Sequence, residues 1–248
     1  MTVGDNIILS QLLAEMPSFH ERGGVLQNWH INDKVLHWLD GNIAPGATCL
    51  ETGAGYSTCV LAARSGDTRG DGSQGESKNG RLTTISPAAG EHQRIADWLG
   101  QHDVATGHIN FIDDKSQNIL PQIASGALDC GTLDFALIDG AHAFPFPMLD
   151  WYFAALALRR GGLMMVDDGR IKAVSVLNDF LARERGRWKI ADRMDDVIVY
   201  EKLVDEVHDP IVDWRSQEYN LRGELRYWVK RTPGLGPLAL KLQALLGR

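Results

Sequence analysis

From residue 48 onward, short apolar runs alternate with longer segments whose apolar residues recur at helical spacing. This alternation is typical of βα units that build a parallel sheet, and it constrains the fold more than any other feature of the chain. The last two runs lie close together and indicate a hairpin, so we expect the sheet to end antiparallel. The predicted strands are residues 48–51, 82–85, 108–112, 135–138, 163–166, 188–192 and 197–201.

Three regions are expected along the chain. Residues 6–16 and 33–39 carry apolar residues at helical spacing, which predicts an N-terminal helical cap over residues 1–46. The α/β domain spans residues 47–203, and residues 204–248 form a C-terminal helical extension. Within the domain, residues 66–80 contain five glycines and no apolar side chain. We expect a mobile surface loop there.

The end of the chain is basic. Between residues 221 and 248 there are six Lys and Arg against one Glu, a local charge of +5, so the remainder carries -12 of the total of -7. Residues 237–246 are apolar except for Lys241 and Gln243. This predicts a helix that packs on the domain or on a second copy in a homo-oligomer; contact with a membrane surface is the alternative.

Charge and composition argue against several classes of protein. The net charge of -7 over 248 residues speaks against nucleic-acid binding, which needs clustered Lys and Arg, and favours a small-molecule partner. No run approaches the roughly 18 consecutive apolar residues of a membrane span, and residues 1–11 lack a signal-peptide pattern, so we expect a cytoplasmic protein. Cys49, Cys59 and Cys130 form no Cys-x-x-Cys pair and are predicted to be buried structural thiols.

A glycine-rich turn follows the first predicted strand. Residues 49–58 read Cys-Leu-Glu-Thr-Gly-Ala-Gly-Tyr-Ser-Thr, which predicts a strand, a tight turn and the start of a helix. Gly53 and Gly55 let the backbone approach a ligand, and the helix start offers unpaired N–H groups. A dinucleotide-binding turn requires a third glycine where this chain has Thr58, so a nicotinamide-dependent oxidoreductase is the less favoured alternative. Glu51 would repel a pyrophosphate, whereas it can receive an amino group.

Three acidic side chains and a histidine follow two neighbouring strands. Asp139 and His142 come after the strand at 135–138, and Asp167 and Asp168 follow the strand at 163–166. Because the carboxyl ends of parallel strands meet at one edge of the sheet, these groups are expected to converge over a ligand-binding crevice. Crowded carboxylates repel one another, so such a cluster usually holds a divalent cation or serves acid–base chemistry.

Together these motifs resemble those of class I S-adenosylmethionine-dependent methyltransferases. The sequence of residues 50–58 is similar to the first motif of the metal-dependent O-methyltransferases of the catechol, sugar and natural-product type. The resemblance covers residues 33–202. It implies a Rossmann-like, seven-stranded, mostly parallel sheet with an antiparallel last strand and helices on both faces. It also implies that the protein methylates a hydroxyl of a small molecule; a noncatalytic cofactor-binding or scaffold protein is the alternative.

The resemblance implies a cofactor site around the glycine turn. Relatives end the second strand with an acid that binds the ribose hydroxyls, whereas this chain has Ser86. Either the hydroxyl of Ser86 binds ribose more weakly, or Glu91 reaches in from the next helix. Asp114 falls where relatives contact the adenine, and a cap for the helix at 116–123 is the alternative. The implied cofactor-binding residues are Glu51, Gly53, Ala54, Gly55, Ser57, Thr58, Ser86, Asp114 and Asp139.

The resemblance also implies a chemical site. Asp139, Asp167 and Asp168 match positions that hold Mg²⁺ or a similar cation, and Asp139 and His142 are the implied catalytic residues. The cation would position the acceptor hydroxyl and lower its pKa, and His142 would take the proton.

Some of these residues have a structural alternative. His142 caps the following helix in one interpretation, and Asp168 begins a turn in another. Trp29 and His30 are candidates for the acceptor pocket by analogy of fold.

Overall fold

A computed structural model describes residues 7–66, 82–205 and 217–220. Two helices and a small hairpin precede the main sheet: α1 (Ile7–Glu15), β1 (His20–Arg22), β2 (Val25–Gln27) and α2 (Asp33–Asn42). The two helices were predicted and the hairpin was not. Its turn is Gly23-Gly24, with φ values of +61° and +79°, a region that glycine enters without the steric cost of a Cβ.

A seven-stranded sheet forms the centre of the molecule. Its strands are β3 (Cys49–Thr52), β4 (Leu82–Ile85), β5 (Ile109–Ile112), β6 (Leu133–Ile138), β7 (Leu158–Val166), β8 (Trp188–Met194) and β9 (Val197–Lys202). Their order is β5-β4-β3-β6-β7-β9-β8. Strand β9 pairs antiparallel with both β7 and β8, while the other pairs are parallel. The predicted mostly parallel sheet with an antiparallel last strand is therefore confirmed.

Helices cover both faces of this sheet, as predicted. One core packs α1, α2, α3 (Tyr56–Ser65) and α4 (Glu91–Gln101) against the sheet, through side chains such as Leu36, Leu61 and Leu99. The second packs α5 (Ser116–Ala124), α6 (Phe146–Ala157) and α7 (Lys172–Arg183), through Leu120 and Leu177 among others. Strands β3 and β4 are buried along their whole length, and apart from Glu51 in β3 their side chains are apolar or carry a hydroxyl.

Several further expectations meet the structure here. Cys49, Cys59 and Cys130 are buried free thiols, as predicted. Within the described part of the chain, no helix has the length and apolar character needed to cross a bilayer. The predicted loop at 66–80, apart from Gly66, and the predicted basic tail at 221–248 lie outside the described residues.

Candidate active site

A cavity of about 720 Å³ opens at the carboxyl ends of the parallel strands. This volume lies within the range of small-molecule sites. The turns after β3, β4, β6 and β7 contribute to its wall, as do the first residues of α5 and the N-terminal segment 20–31. The glycine turn and the acidic cluster predicted from the sequence therefore border one and the same space.

The turn after β3 depends on Gly53. Its φ is +92°, and a Cβ at this position would lie 2.4 Å from the carbonyl oxygen of Asp139. Only glycine avoids both the backbone strain and this clash. The Gly53 N–H donates to Ile85 O at 2.9 Å, and the Gly55 N–H donates to Thr58 Oγ1 at 2.9 Å. Gly53, Ala54, Gly55 and Ser57 line the cavity.

Glu51 lies one layer beneath this turn and is not part of the cavity wall. It is 1 % exposed. Its carboxylate accepts hydrogen bonds from the hydroxyls of Ser57, Thr58 (2.6 Å) and Thr84 (3.2 Å). Burial raises the pKa of Glu51 to about 8, although the bonds from Ser57 and Thr58 oppose this shift. The acid predicted to contact the cofactor is thus connected to the cavity through Ser57.

An acidic side chain does reach the end of β4. Ser86 Oγ donates to Glu91 Oε2 at 2.5 Å, and His20 Nδ1 lies 2.5 Å from Glu91 Oε1. Glu91 comes from the first turn of α4 and is nearly fully buried, yet all three residues line the cavity. Of the two possibilities that the sequence left open at Ser86, the structure thus has the acid arriving from the next helix. His20, from the unpredicted hairpin, had no role in the sequence analysis.

Asp114 lies one residue before Lys115, the N-cap of α5, and makes two local hydrogen bonds. Its Oδ1 accepts hydrogen bonds from Lys115 N at 2.7 Å and Asn118 Nδ2 at 2.8 Å. These two bonds, the first of them the larger cause, lower the pKa of Asp114. It does not line the cavity, but the next residues Lys115, Ser116 and Gln117 do. The helix cap that the sequence offered as the alternative for Asp114 is not formed, because neither bond involves a backbone N–H within α5.

Asp139, His142 and Asp168 converge on one side of the cavity. One ligand atom from each lies within 4.8 Å of the others. His142 Nε2 is 3.2 Å from Asp168 Oδ2 and 3.5 Å from Asp139 Oδ1. This nitrogen is buried but lacks a hydrogen bond of good geometry within the described residues. Two carboxylates and an imidazole nitrogen without a well-formed hydrogen bond make a set of ligand atoms that fits a divalent cation.

Asp167 is placed differently from the sequence prediction. Its Oδ1 accepts the backbone N–H of Asp168 at 2.7 Å, and it lies outside the converging group, in which His142 takes the third position. Burial and the neighbouring Asp139 raise the pKa of Asp167 to about 7. Asp168 has a φ of 55°, uncommon for a residue with a Cβ, and its carbonyl accepts from Ile171 N at 2.9 Å. It therefore belongs both to a turn and to the cluster.

The protonation of the cluster reflects its crowding. Burial raises the pKa of Asp139, while the hydrogen-bonding interaction with His142 opposes this shift. The pKa of His142 is raised, first by its hydrogen-bonding interaction with Asp139 and then by the charges of Asp139, Asp168 and Asp167, against the effect of burial. A proton or a cation at His142 Nε2 is thus favoured by the surrounding negative charge.

Asp150 is a buried acid that sequence reasoning missed. It lies on α6 with no exposed surface, and neither of its oxygens has a well-formed hydrogen bond in the described part of the chain. Burial raises its pKa to about 6, while the nearby hydroxyls of Ser116 and Thr52 lower it. A Cβ on Gly140 would lie 3.1 Å from Asp150 Oδ2, so this acid packs directly beneath the loop between Asp139 and His142. One acid within the otherwise apolar α6 was the available signal.

The N-terminal segment forms the remaining wall. His30 stacks on Tyr56 with ring centroids 4.5 Å apart, and His20 stacks on Trp29 at 6.3 Å. Trp29 is half exposed, and both Trp29 and His30 line the cavity, together with Phe146 from the start of α6. The two N-terminal residues raised by analogy of fold therefore do reach this space.

Comparison with known proteins agrees with this architecture. Residues 50–169 match a family model described as a methyltransferase domain. The structure of cofactor-bound Rv0187 from MTB aligns with a TM-score of 0.57 and 18 % identity, over 83 % of this chain and 93 % of that one. An O-methyltransferase from Bacillus cereus in complex with SAH aligns with a TM-score of 0.55 and 15 % identity, over 82 % and 94 %. The α/β domain has the methyltransferase fold.

The residues that match the family model cover most of the cavity wall but not its N-terminal part. Residues 50–169 run from β3 to the turn after β7, so they include the glycine turn, the Ser86–Glu91 contact and the acidic cluster. They exclude the N-terminal wall at 20–31. No curated protein matches the sequence.

Proposed function

We propose that the protein is an S-adenosylmethionine-dependent methyltransferase that methylates a hydroxyl group of a small molecule. The observation that carries the proposal is that the Gly53–Gly55 turn and the group of Asp139, His142 and Asp168 line one and the same cavity. A cofactor at the turn and an acceptor at the cluster would lie next to each other. Methyl transfer needs chiefly such alignment and a deprotonated nucleophile.

The cofactor residues are proposed from the cavity wall. The backbone of the turn and the hydroxyl of Ser57 would hold the methionine end, with Glu51 fixing the turn from beneath. Glu91, together with Ser86, would accept the ribose hydroxyls. The segment Lys115–Gln117 would border the adenine. Rv0187 and the Bacillus cereus protein, which share the fold, hold a cofactor and SAH in their structures, and this supports the choice of cofactor.

A divalent cation such as Mg²⁺ is proposed to assist. Asp139, Asp168 and His142 would hold it, and when bound it would lower the pKa of an acceptor hydroxyl. In the cation-free protein, His142 Nε2 lies between two carboxylates and can accept the proton of the acceptor instead. His142 Nε2 cannot bind the cation and accept the proton at the same time. Loss of activity in the presence of a chelator would favour the first role, and full activity would favour the second.

The acceptor is proposed to be a small molecule without a large negative charge. The described residues that line the cavity include one ammonium group, that of Lys115, and four carboxylates. The carboxylates belong to Glu91, Asp139, Asp167 and Asp168. The net charge of -7 acts in the same direction and disfavours a nucleic acid. Trp29, His30 and Phe146 offer aromatic surface to the acceptor.

Calorimetric titration with S-adenosylhomocysteine, with and without Mg²⁺, tests the proposal. We expect saturable binding in both conditions and Mg²⁺-dependent methyl transfer to hydroxylated acceptors. NADH serves as the comparison ligand. Binding of NADH with no binding of S-adenosylhomocysteine would favour the oxidoreductase, whereas cofactor binding without transfer to any hydroxylated acceptor would favour the noncatalytic alternative.

A further inference from the structure

Thr84 lies beneath the glycine turn and contacts three polar groups at once. Its Oγ1 is 3.2 Å from Glu51 Oε2, 3.1 Å from the carbonyl oxygen of Gly53 and 3.4 Å from His92 Nε2. The residue has no exposed surface. It therefore joins the buried acid of the turn and the backbone of the turn through one hydroxyl.

His92 fixes this hydroxyl from the other side. It lies on α4, is 4 % exposed, and packs its ring against Phe111 with centroids 5.2 Å apart. Its Nδ1 is 2.7 Å from Asp113 Oδ1, which comes directly after β5. A continuous chain of polar contacts thus runs from Asp113 through His92 and Thr84 to the turn after β3.

The Thr84 hydroxyl has more hydrogen-bond acceptors around it than hydrogens to donate. The Thr84 hydroxyl carries one hydrogen, and Glu51 Oε2, Gly53 O and an unprotonated His92 Nε2 compete for it. The orientation of the His92 ring therefore affects whether the Thr84 hydroxyl donates to Glu51 and Gly53 or to His92. Thr58 donates to the same oxygen, Glu51 Oε2, at 2.6 Å and accepts the Gly55 N–H at 2.9 Å. Through Glu51 Oε2, Thr84 and Thr58 are thus connected to each other, and each contacts the backbone of one glycine of the turn.

We propose that Thr84, oriented by His92 and Asp113, is a positioning residue that holds the Gly53–Gly55 turn in its ligand-binding conformation. The inference rests on the proposed function for the identity of the ligand. None of these three residues lines the cavity, so an effect on binding would have to act through the turn. Removing the hydroxyl would leave the buried Glu51 with one partner fewer and free the Gly53 carbonyl to move.

Isosteric variants of neighbouring threonines test this role. Thr84→Val removes the hydroxyl and keeps the shape, Thr84→Ser keeps the hydroxyl, and Thr83→Val is the matched control on the opposite face of β4. Thr83 is buried to the same degree. Calorimetry with S-adenosylhomocysteine should show a Kd raised about tenfold in Thr84→Val, and a Kd equal to that of wild type within experimental error in Thr84→Ser and Thr83→Val.

The outcomes separate this inference from the proposed function. A wild-type protein that fails to bind S-adenosylhomocysteine overturns the proposed function, whatever the variants do. Wild-type affinity in a folded Thr84→Val protein overturns the inference alone, because a purely structural role would lower the unfolding temperature without changing the Kd. If Thr84→Val does not fold, His92→Phe decides: we expect a Kd raised about threefold, and an unchanged Kd overturns the inference.

Discussion

The carboxylate of Glu91 accepts a hydrogen bond from the Ser86 hydroxyl at 2.5 Å, at the position where β4 ends. An acid from α4 thereby reaches the end of β4, where the sequence itself has a serine. With Ser86 and His20 engaged, the carboxylate keeps lone pairs that can accept hydrogen bonds from a ligand, since it offers about four acceptor sites.

Glu91→Gln should therefore weaken binding of the cofactor through its ribose. We expect the Kd for S-adenosylhomocysteine to rise about tenfold, because a charge-assisted hydrogen bond is replaced by a neutral one. Adenosine and 2′,3′-dideoxyadenosine sharpen the test by calorimetry: wild type should prefer adenosine, and the variant should bind both alike. Asp97→Asn, an exposed acid on the same helix, is the control. An unchanged preference for adenosine in Glu91→Gln would remove Glu91 from the ribose site.

Gly53→Ala should abolish measurable cofactor binding. The added Cβ would lie 2.4 Å from a backbone oxygen at a φ of +92°, so the turn or the loop after β6 must move. Gly100→Ala is the matched control, because that glycine lies within α4 with open space around its Cβ position. The control should gain up to about 1 kcal/mol in the free energy of unfolding, measured with urea, and keep its affinity. Equal affinities for S-adenosylhomocysteine in the two variants would contradict this account of the turn.

Asp168→Ala should weaken binding of a divalent cation. Removing one of two carboxylates from the donor set should raise the Kd for Mn²⁺ at least about tenfold, as followed by electron paramagnetic resonance. Asp179→Asn, on the exposed side of α7, serves as control. Wild-type Mn²⁺ affinity in Asp168→Ala would exclude Asp168 as a ligand. The absence of a Mn²⁺ site in the wild-type protein would exclude the cation and leave His142 as the base.

Asp150→Asn should change how stability depends on pH. The pKa of Asp150 is raised from 3.8 to about 6 in the folded protein, so the folded state binds the proton more tightly than the unfolded state. The contribution of this acid to stability is therefore lost as pH rises from about 4 to 6. Relative to wild type, Asp150→Asn should gain about 1 kcal/mol between pH 5 and pH 7.5 in urea unfolding. A difference between variant and wild type that stays constant over this range would show that Asp150 does not titrate there.

The sheet was predictable because its physical signal is local. Strand β4 is buried on both faces, and Leu82–Ile85 accordingly contains no charged residue. The hairpin β1–β2 was missed because each of its strands has three residues, although its Gly23-Gly24 turn is a recognised hairpin signal.

The site was predictable only in part, because contacts between distant segments decide it. The sequence placed Asp139 and Asp168 at one edge of the sheet, and the structure does bring them together. Nothing in the sequence indicated that Asp167 would accept a hydrogen bond from the backbone N–H of Asp168. Nor did it indicate that His142 would be the third member of the converging group. The contact between Glu91 and His20 joins residues 71 positions apart, and no periodicity in the sequence encodes such a pairing.

The cavity wall formed by residues 20–31 lies outside the stretch that matches the family model. A fragment trimmed to the matched stretch 50–169 would carry both glycines and all the acids, yet its pocket would be open on the side where His20 and Trp29 stand. Exchanging residues 20–31 alone would therefore replace one wall of the cavity and leave the glycine turn and the acidic cluster as they are.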